Sequence, residues 1–404
     1  MKIYRYFYII LPLALLSCSN DDNLPGDERT GNIVKDITVS YQGATVAPGL
    51  ALEGDADEHI SPAIILDQFS PGDKLYFSQM GPTSTQDPNF SNYEENASPY
   101  CYIYEYDEND EATWASGFNF SLHDTTRQPF KWETVTQVGS VGNAFSFYAF
   151  YYPINNTPVW NVQTDQRGSG EDVYDTGNFL VSDIMGAYHA SSAIYTRMRF
   201  RLFHLMVYLK VTLYVPVYEA EADGTGYSGF GEGAMQGALV LNAVPDINIE
   251  WRANRTSDTY PPLTQPGNNM GKQNIVMYQH KPDEEVIENF EVSNYYTGGT
   301  LTVDNVRAYN FSVLFPAQSF DNNFLCFVLR SQDDSLRYFY FSGNQIVGDS
   351  GNYSLTQGTL QHLSLYLPRT ANETILVRAN ILPWSDSLTD MTVTEQPSSQ
   401  DPNN

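Results

Sequence analysis

The sequence predicts an all-β protein, and three observations carry that reading. Aromatic residues make up 14% of the chain, led by 29 Tyr and 22 Phe, side chains that suit a pleated, half-buried surface. Gly (28) and Pro (22), with frequent Asn and Asp, break the chain at short intervals, as turns do. Beyond the N-terminal segment no window of a dozen residues holds a helical apolar stripe, whereas alternation with period two recurs. A length of 404 residues allows two or three domains, and a hydrophobic share of 42% is enough for real cores.

The N-terminal segment is of another kind. Lys2 and Arg5 precede an apolar run from Tyr6 to Leu16, which closes as Leu15-Leu16-Ser17-Cys18. A charged start, a short apolar middle and small residues at the cut describe a secretory signal over residues 1–17. The run falls short of the roughly 20 apolar residues that span a bilayer. Leu-x-Ser-Cys resembles a bacterial lipobox, which implies cleavage before Cys18, diacylation of its thiol and acylation of the new N-terminus. Each buried CH2 contributes about 0.8 kcal/mol, so several acyl chains would anchor the protein durably in the outer membrane. Residues 18–31 then form an acidic tether. Within it Ser19-Asn20-Asp21-Asp22-Asn23 resembles the tag that sends lipoproteins of Bacteroides-type bacteria to the outer surface, the alternative being plain linker composition.

Acidic residues outnumber basic ones 48 to 21, and loss of Lys2 and Arg5 with the signal takes the net charge from −27 to −29. Such a surface repels nucleic acid and anionic lipid, which argues against both as partners, and it favours solubility at the cell surface. After Cys18 the remaining cysteines are Cys101 and Cys326; far apart in sequence, they read as two buried thiols rather than a disulfide.

In order, the first strand is Asn32 to Tyr41, with Ile33, Ile37 and Val39 as inward residues. Ile64 to Phe69 and Lys74 to Gln79 flank the turn Ser70-Pro71-Gly72-Asp73. After a polar loop over Gly81 to Ser98, Tyr100 to Tyr106 alternates Tyr with other residues, Asp107 to Glu111 turns the chain, and Ala112 to Leu122 returns. Phe145 to Tyr152 is a dense aromatic strand ended by Pro153, and Gly177 to Ala187 leads on to Ile194 to Val215. There Met198, Phe200 and Leu202, then Leu205, Val207, Leu209, Val211 and Leu213, keep to alternate positions. That period of two predicts two successive strands or one long bent strand, and the phase slip at Phe203-His204 predicts a bulge or bend there.

Glu219 to Gly237 and Arg252 to Gly271 read as loops, with strands over Ala238 to Val244 and Ile247 to Trp251 between them. Later strands are expected at Asn274–Tyr278, Ile287–Val292, Thr300–Val303, Asn310–Phe315, Phe324–Leu329, Tyr338–Ser342, Gln361–Leu367 and Thr374–Ile381. Many short strands at regular spacing predict β-sandwiches, two in tandem at this length, over residues 32–193 and 194–396 with a polar tail 397–404.

Several of these pieces, in this order, resemble the fimbrillins of Bacteroidales, subunits of type V pili. They are the lipobox, the early first strand, the aromatic strand FSFYAFYYP, the segment VSDIMGAYHA, the stretch RFRLFHLMVYLKVTL with His204 among hydrophobic residues, and the ending ILPWSD. Together they run from Cys18 to about Asp386, nearly the whole chain. The resemblance implies two transthyretin-like sandwiches, a lipidated precursor on the cell surface, and a role in adhesion. It also implies removal of the first strand by an Arg-directed protease, after which a strand from another subunit fills the groove by strand addition. Here Ile33, Ile37 and Val39 would lie on the strand removed; Leu376 and Ile381, or Leu388 and Val393 after them, would lie on the donor. The sequence departs from that pattern at one place: residues 42–73 contain neither Arg nor Lys, and a cut at Arg29 leaves the first strand behind. A different protease, an uncut subunit, or a tip or accessory role would each account for it.

No catalytic, metal or cofactor site is expected. Gly348-Asp349-Ser350-Gly351 imitates a serine-protease motif but has no upstream segment to supply the base. Asp107 to Glu111 lacks the Gly and Glu of a calcium loop, and the six His show no zinc-like pairing. His204 is expected to be a hydrogen-bonded structural residue. The rival functional reading is a monomeric surface lipoprotein that binds glycans through Tyr102, Tyr104 and Trp114, whose rings could stack on sugar faces; the plainer account is that alternate Tyr residues cover one face of a sheet.

Overall fold

The computed structural model describes residues 36–41, 69, 73–80, 101–106, 118–122, 145–152, 160–168, 172–191, 197–217, 219–220, 227–251, 259–260, 262–282, 285–293, 299–303, 305–320, 323–343, 352–367 and 375–383. Nearly all of the regular structure among them is strand, which makes the fold all-β. Among these residues no helix is long and apolar enough to cross a membrane.

The first elements are β1 (Asp36–Tyr41), β2 (Lys74–Met80), β3 (Cys101–Tyr106), β4 (Phe118–Leu122), β5 (Phe145–Tyr151), a single helical turn α1 (Gly177–Leu180), β6 (Met185–Ser191) and β7 (Arg197–His204). Their strands join in the order β6-β5-β2-β3-β4-β1-β7, and β7 pairs back onto β6 through Met185↔His204 and Gly186↔Phe203. The sheet therefore closes on itself. Its aromatic strand shows the expected two-fold alternation: Tyr148, Phe150 and Tyr152 enter the main core, while Tyr151 meets Phe69 edge-on at 4.9 Å.

After the bend at Leu205–Met206 come β8 (Val207–Pro216), β9 (Glu219–Ala220), β10 (Tyr227–Ser228), β11 (Met235–Ala243), β12 (Ile247–Glu250), β13 (Thr259–Tyr260), β14 (Leu263–Pro266), β15 (Gln273–Val276) and β16 (Tyr278–Gln279). They are followed by β17 (Phe290–Ser293), β18 (Thr300–Val303), β19 (Val306–Phe315), β20 (Ser319–Phe320), β21 (Asn323–Arg330), β22 (Leu336–Ser342), β23 (Tyr353–Ser354), β24 (Thr359–Tyr366) and β25 (Ile375–Pro383). A sheet ordered β15-β11-β21-β22 packs face to face on one ordered β16-β19-β8-β24-β25. Phe311 of β19 meets Phe327 of β21 across this interface, ring centres 5.9 Å apart.

β8 is buried along its whole length. Leu209, Val211, Leu213 and Val215 point into the core between the two sheets. The alternate residues Tyr208, Lys210, Thr212 and Tyr214 are buried as well, so the outer face of this sheet is also covered. At one end the cover is Phe179 of α1, 5.4 Å from the Tyr208 ring; at the other it is the β17–β18 hairpin, whose Phe290 lies 4.2 Å from Tyr214. The core continues into the first sheet, where Tyr148 and Phe150 pack against Trp251 at 5.5 and 6.0 Å. Each such ring contributes on the order of 1.5–3 kcal/mol by leaving water.

The phase slip read at Phe203-His204 corresponds to the end of β7, with the bend falling in the next two residues. Two expectations are corrected. The stretch Arg252 to Gly271 is not all loop: β13 pairs with β6 through Thr259↔His189 and Tyr260↔Tyr188, and β14 pairs with β12 from Ile247↔Pro266 to Glu250↔Leu263. Likewise Glu219 to Gly237 contains the β9–β10 pair and the start of β11. Strands of two to four residues carry too few side chains to show a period, so their partners, not their own pattern, decide them.

Candidate functional site

The most distinctive construction is the seat of β1. Six residues of this strand are wedged between two partners of opposite sense. They run parallel to β7, from Asp36↔Arg197 to Tyr41↔Leu202, and antiparallel to β4, from Asp36↔Ser121 to Val39↔Phe118. Ile37 thus stands between Phe120 and Met198 in register, and Val39 between Phe118 and Phe200. Withdrawal of β1 would leave two unpaired strand edges facing each other across two strand spacings, roughly 10 Å. Ile33, the third residue expected on this strand, lies outside the described residues, as do Cys18, Trp114, Leu388 and Val393.

Leu376 and Ile381 fall on β25, which pairs with β24 at the edge of the five-stranded sheet, Leu376 opposite Leu365 and Ile381 opposite Gln361. Tyr102 and Tyr104 fall on β3, opposite Phe77 and Leu75 of β2. The structure therefore places the two expected strand-exchange elements on different sheets and does not bring them together.

Three polar constructions are not legible as such in the sequence. His204 and Asp183 meet where β7 ends, Nδ1 standing 2.8 Å from Oδ1 with both side chains buried. Ser182, next to it, accepts a hydrogen bond from the Gln163 N–H at 3.0 Å and donates to the Asn178 carbonyl at 3.2 Å, so the Ser-Asp pair ties α1, β7 and the 160–168 segment together. Gln166, wholly buried, serves Leu314 as a second backbone would: its Nε2 donates to the Leu314 carbonyl at 2.6 Å, and its Oε1 accepts from the Leu314 N–H at 2.9 Å.

The third lies on the covered face of the five-stranded sheet. Thr212 donates to Asn310 Oδ1 at 2.8 Å and sits 2.9 Å from His362 Nε2; Ser312 is 2.7 Å from His280 Nε2 and 3.0 Å from the Tyr208 hydroxyl. Lys210 lies among them, its pKa lowered to about 8 by burial. Burial, and secondarily the charge of Lys210, lowers both His280 and His362 to about 3, so both rings are neutral. No group of three or more His, Cys, Asp or Glu able to hold a metal occurs among the described residues. Cys326 is a free, buried thiol, pushed up to about 11 chiefly by burial.

No family model matches the chain, and no curated protein matches it. Solved structures do. A putative cell adhesion protein from Bacteroides uniformis ATCC 8492 is 11% identical, with 89% of this chain and 100% of that one covered and a TM-score of 0.44. A putative cell adhesion protein from Bacteroides ovatus ATCC 8483 is 11% identical over 88% and 99% of the two chains, with a TM-score of 0.40. The tip fimbrial protein Mfa3 from Porphyromonas gingivalis is 8% identical over 87% and 99%, with a TM-score of 0.32. Values this low fix neither a family nor an activity.

Proposed function

We propose that the chain is an exported, lipid-anchored subunit of a surface fimbria that serves cell adhesion. The observation that supports it best is β1, a short strand seated between β4 and β7, whose loss would open the first sheet to a strand from another subunit. The lipobox-like Leu15-Leu16-Ser17-Cys18 supports export and anchoring, and the order of fimbrillin-like segments along the chain supports the kind of assembly. Two tandem sandwiches belong to this reading, with β7 completing the first sheet and the backbone passing to the next at Leu205–Met206.

The absence of Arg and Lys from residues 42–73 bears on how such a subunit matures. A chain that keeps β1 cannot accept a strand at this seam, and would join an assembly as a donor, through β25 or the residues after it. Surface material extracted from native cells and run without boiling should give a high-mass ladder that contains this chain and collapses on heating. A single monomer band would overturn the fimbrial reading. N-terminal sequencing of the same material decides the seam: a start beyond Tyr41 supports strand removal, and a start at Cys18 or near residue 30 ends it.

A further inference from the structure

The outer face of the four-stranded sheet carries an unusual strand. β22 ends that sheet, with no strand beyond it among the described residues. Phe339 and Phe341 turn inward to the core, while Leu336, Tyr338 and Tyr340 stand on the other face, 49%, 48% and 41% exposed. Behind them in register are Arg330, the half-buried Val328 and the buried Cys326. Further across, Gly237 stands opposite Val328, with open space where a side chain would be. An edge strand ordinarily carries a charge, a proline or a bulge that deters pairing. The single charge on β22, Arg337, is turned to the other face, over Phe230 at 5.8 Å and Phe339 at 5.2 Å.

The charges nearby indicate what would pair there. The turn leading into β22 carries Asp333 and Asp334, against Arg330, which already meets Gln236 at 3.2 Å and Asp334 at 4.0 Å. Ser331 and Ser335 both donate to the Asp333 carboxylate, which holds it ionised. Exposed tyrosine faces attract cations in their own right. A second copy of this chain would bring a net charge of −27 against another −27, so self-pairing is opposed.

We infer that β22 is a docking edge for an extended, basic segment of another protein, which adds as a strand beside Leu336–Phe341 and lays Lys or Arg side chains over Tyr338 and Tyr340 toward the Asp333–Asp334 turn. Backbone pairing supplies the affinity and the alternate side chains supply the register. This edge is separate from the β1 seam and does not depend on how that seam matures.

The test uses the full chain and two fluorescent peptides, Thr-Lys-Thr-Lys-Thr-Lys-Thr and its Glu counterpart, followed by anisotropy near physiological salt, where charges beyond roughly 8 Å are screened. The lysine peptide should bind, the glutamate peptide should not, and Tyr338→Ser/Tyr340→Ser should weaken binding at least about tenfold. Leu336→Lys, which places a deterring charge on the edge without touching the tyrosines, should weaken it similarly. Lysine-peptide binding unchanged in both variants would reveal diffuse attraction to an acidic protein and overturn the inference. So would equal binding of the glutamate peptide, no binding of either, or self-association lost in Tyr338→Ser/Tyr340→Ser. Retention on a neutral polysaccharide that those substitutions abolish, with no peptide binding, would reassign the face to sugar.

Discussion

His204 Nδ1 lies 2.8 Å from Asp183 Oδ1, a buried contact at the point where the chain leaves the first sheet for the second. The carboxylate gives the ring N–H an acceptor that the surrounding apolar side chains, among them Leu205 and Ile184, cannot provide. Asp183→Ala should therefore lower stability by about 2–3 kcal/mol, as for a buried donor stripped of a charged acceptor. Asp183→Asn, which keeps an acceptor oxygen, should cost clearly less. Urea midpoints of the two variants check the difference.

His280 and His362 make the fold acid-labile in a defined window. Their folded values, near 3, lie below the ordinary histidine value near 6.5. The unfolded chain therefore takes up protons that the folded chain refuses. The stability they give is complete above about pH 6.5 and is lost as pH falls from there toward 3, at about 1.4 kcal/mol per pH unit for each ring. Urea midpoints measured from pH 7 to pH 4.5 should fall steeply, and His280→Gln/His362→Gln should flatten the slope.

Gly229 and Gly233 are both left-handed, at φ +90° and +67°, but they differ in surroundings. A Cβ on Gly229 would collide with the Val217 carbonyl oxygen, whereas one on Gly233 meets nothing within 4 Å. Gly233→Ala should cost about 1 kcal/mol of backbone strain. Gly229→Ala should cost more than about 2 kcal/mol, because backbone must move as well. Thermal melting of the two variants side by side gives the comparison.

Gln166→Leu should strip both the N–H and the carbonyl of Leu314 of their partner, at a cost of about 2–4 kcal/mol. Hydrogen exchange at the Leu314 amide should accelerate more than at Val313, which does not use this side chain. Uniform acceleration along β19 would show that Gln166 supports the strand as a whole.

What the sequence discloses and what it hides divide along a physical line. The aromatic strand at Phe145–Tyr151, the alternating run that forms β7 and β8, and the break after His204 all announce themselves, because a side chain's period records the face it will take. Thr259–Tyr260 and Leu263–Pro266 hide in an apparent loop, since their pairing is set by β6 and β12 rather than by themselves. Gln166 reads as one more polar residue in a loop, yet it works as backbone. Lys210 looks like the polar side of a strand, and the cover supplied from elsewhere in the chain is what buries it. His204 can be recognised as structural, but its partner Asp183 lies 21 residues away and only the fold brings them together.

The placement of β1 sets an order of events during synthesis. It is among the earliest strands to emerge, yet Val39 pairs with Phe118, 79 residues later, and every parallel partner on β7 lies 161 residues later, as Tyr41 with Leu202. Loops of that span close slowly, so β1 can pair with β4 once residues 118–122 are out, but its β7 side must wait until the chain beyond residue 200 has been delivered. An early strand is therefore among the last to be locked. Through that interval the β7 side of β1 is open to whatever strand arrives first, which makes the order in which the chain is delivered a determinant of what occupies the seam.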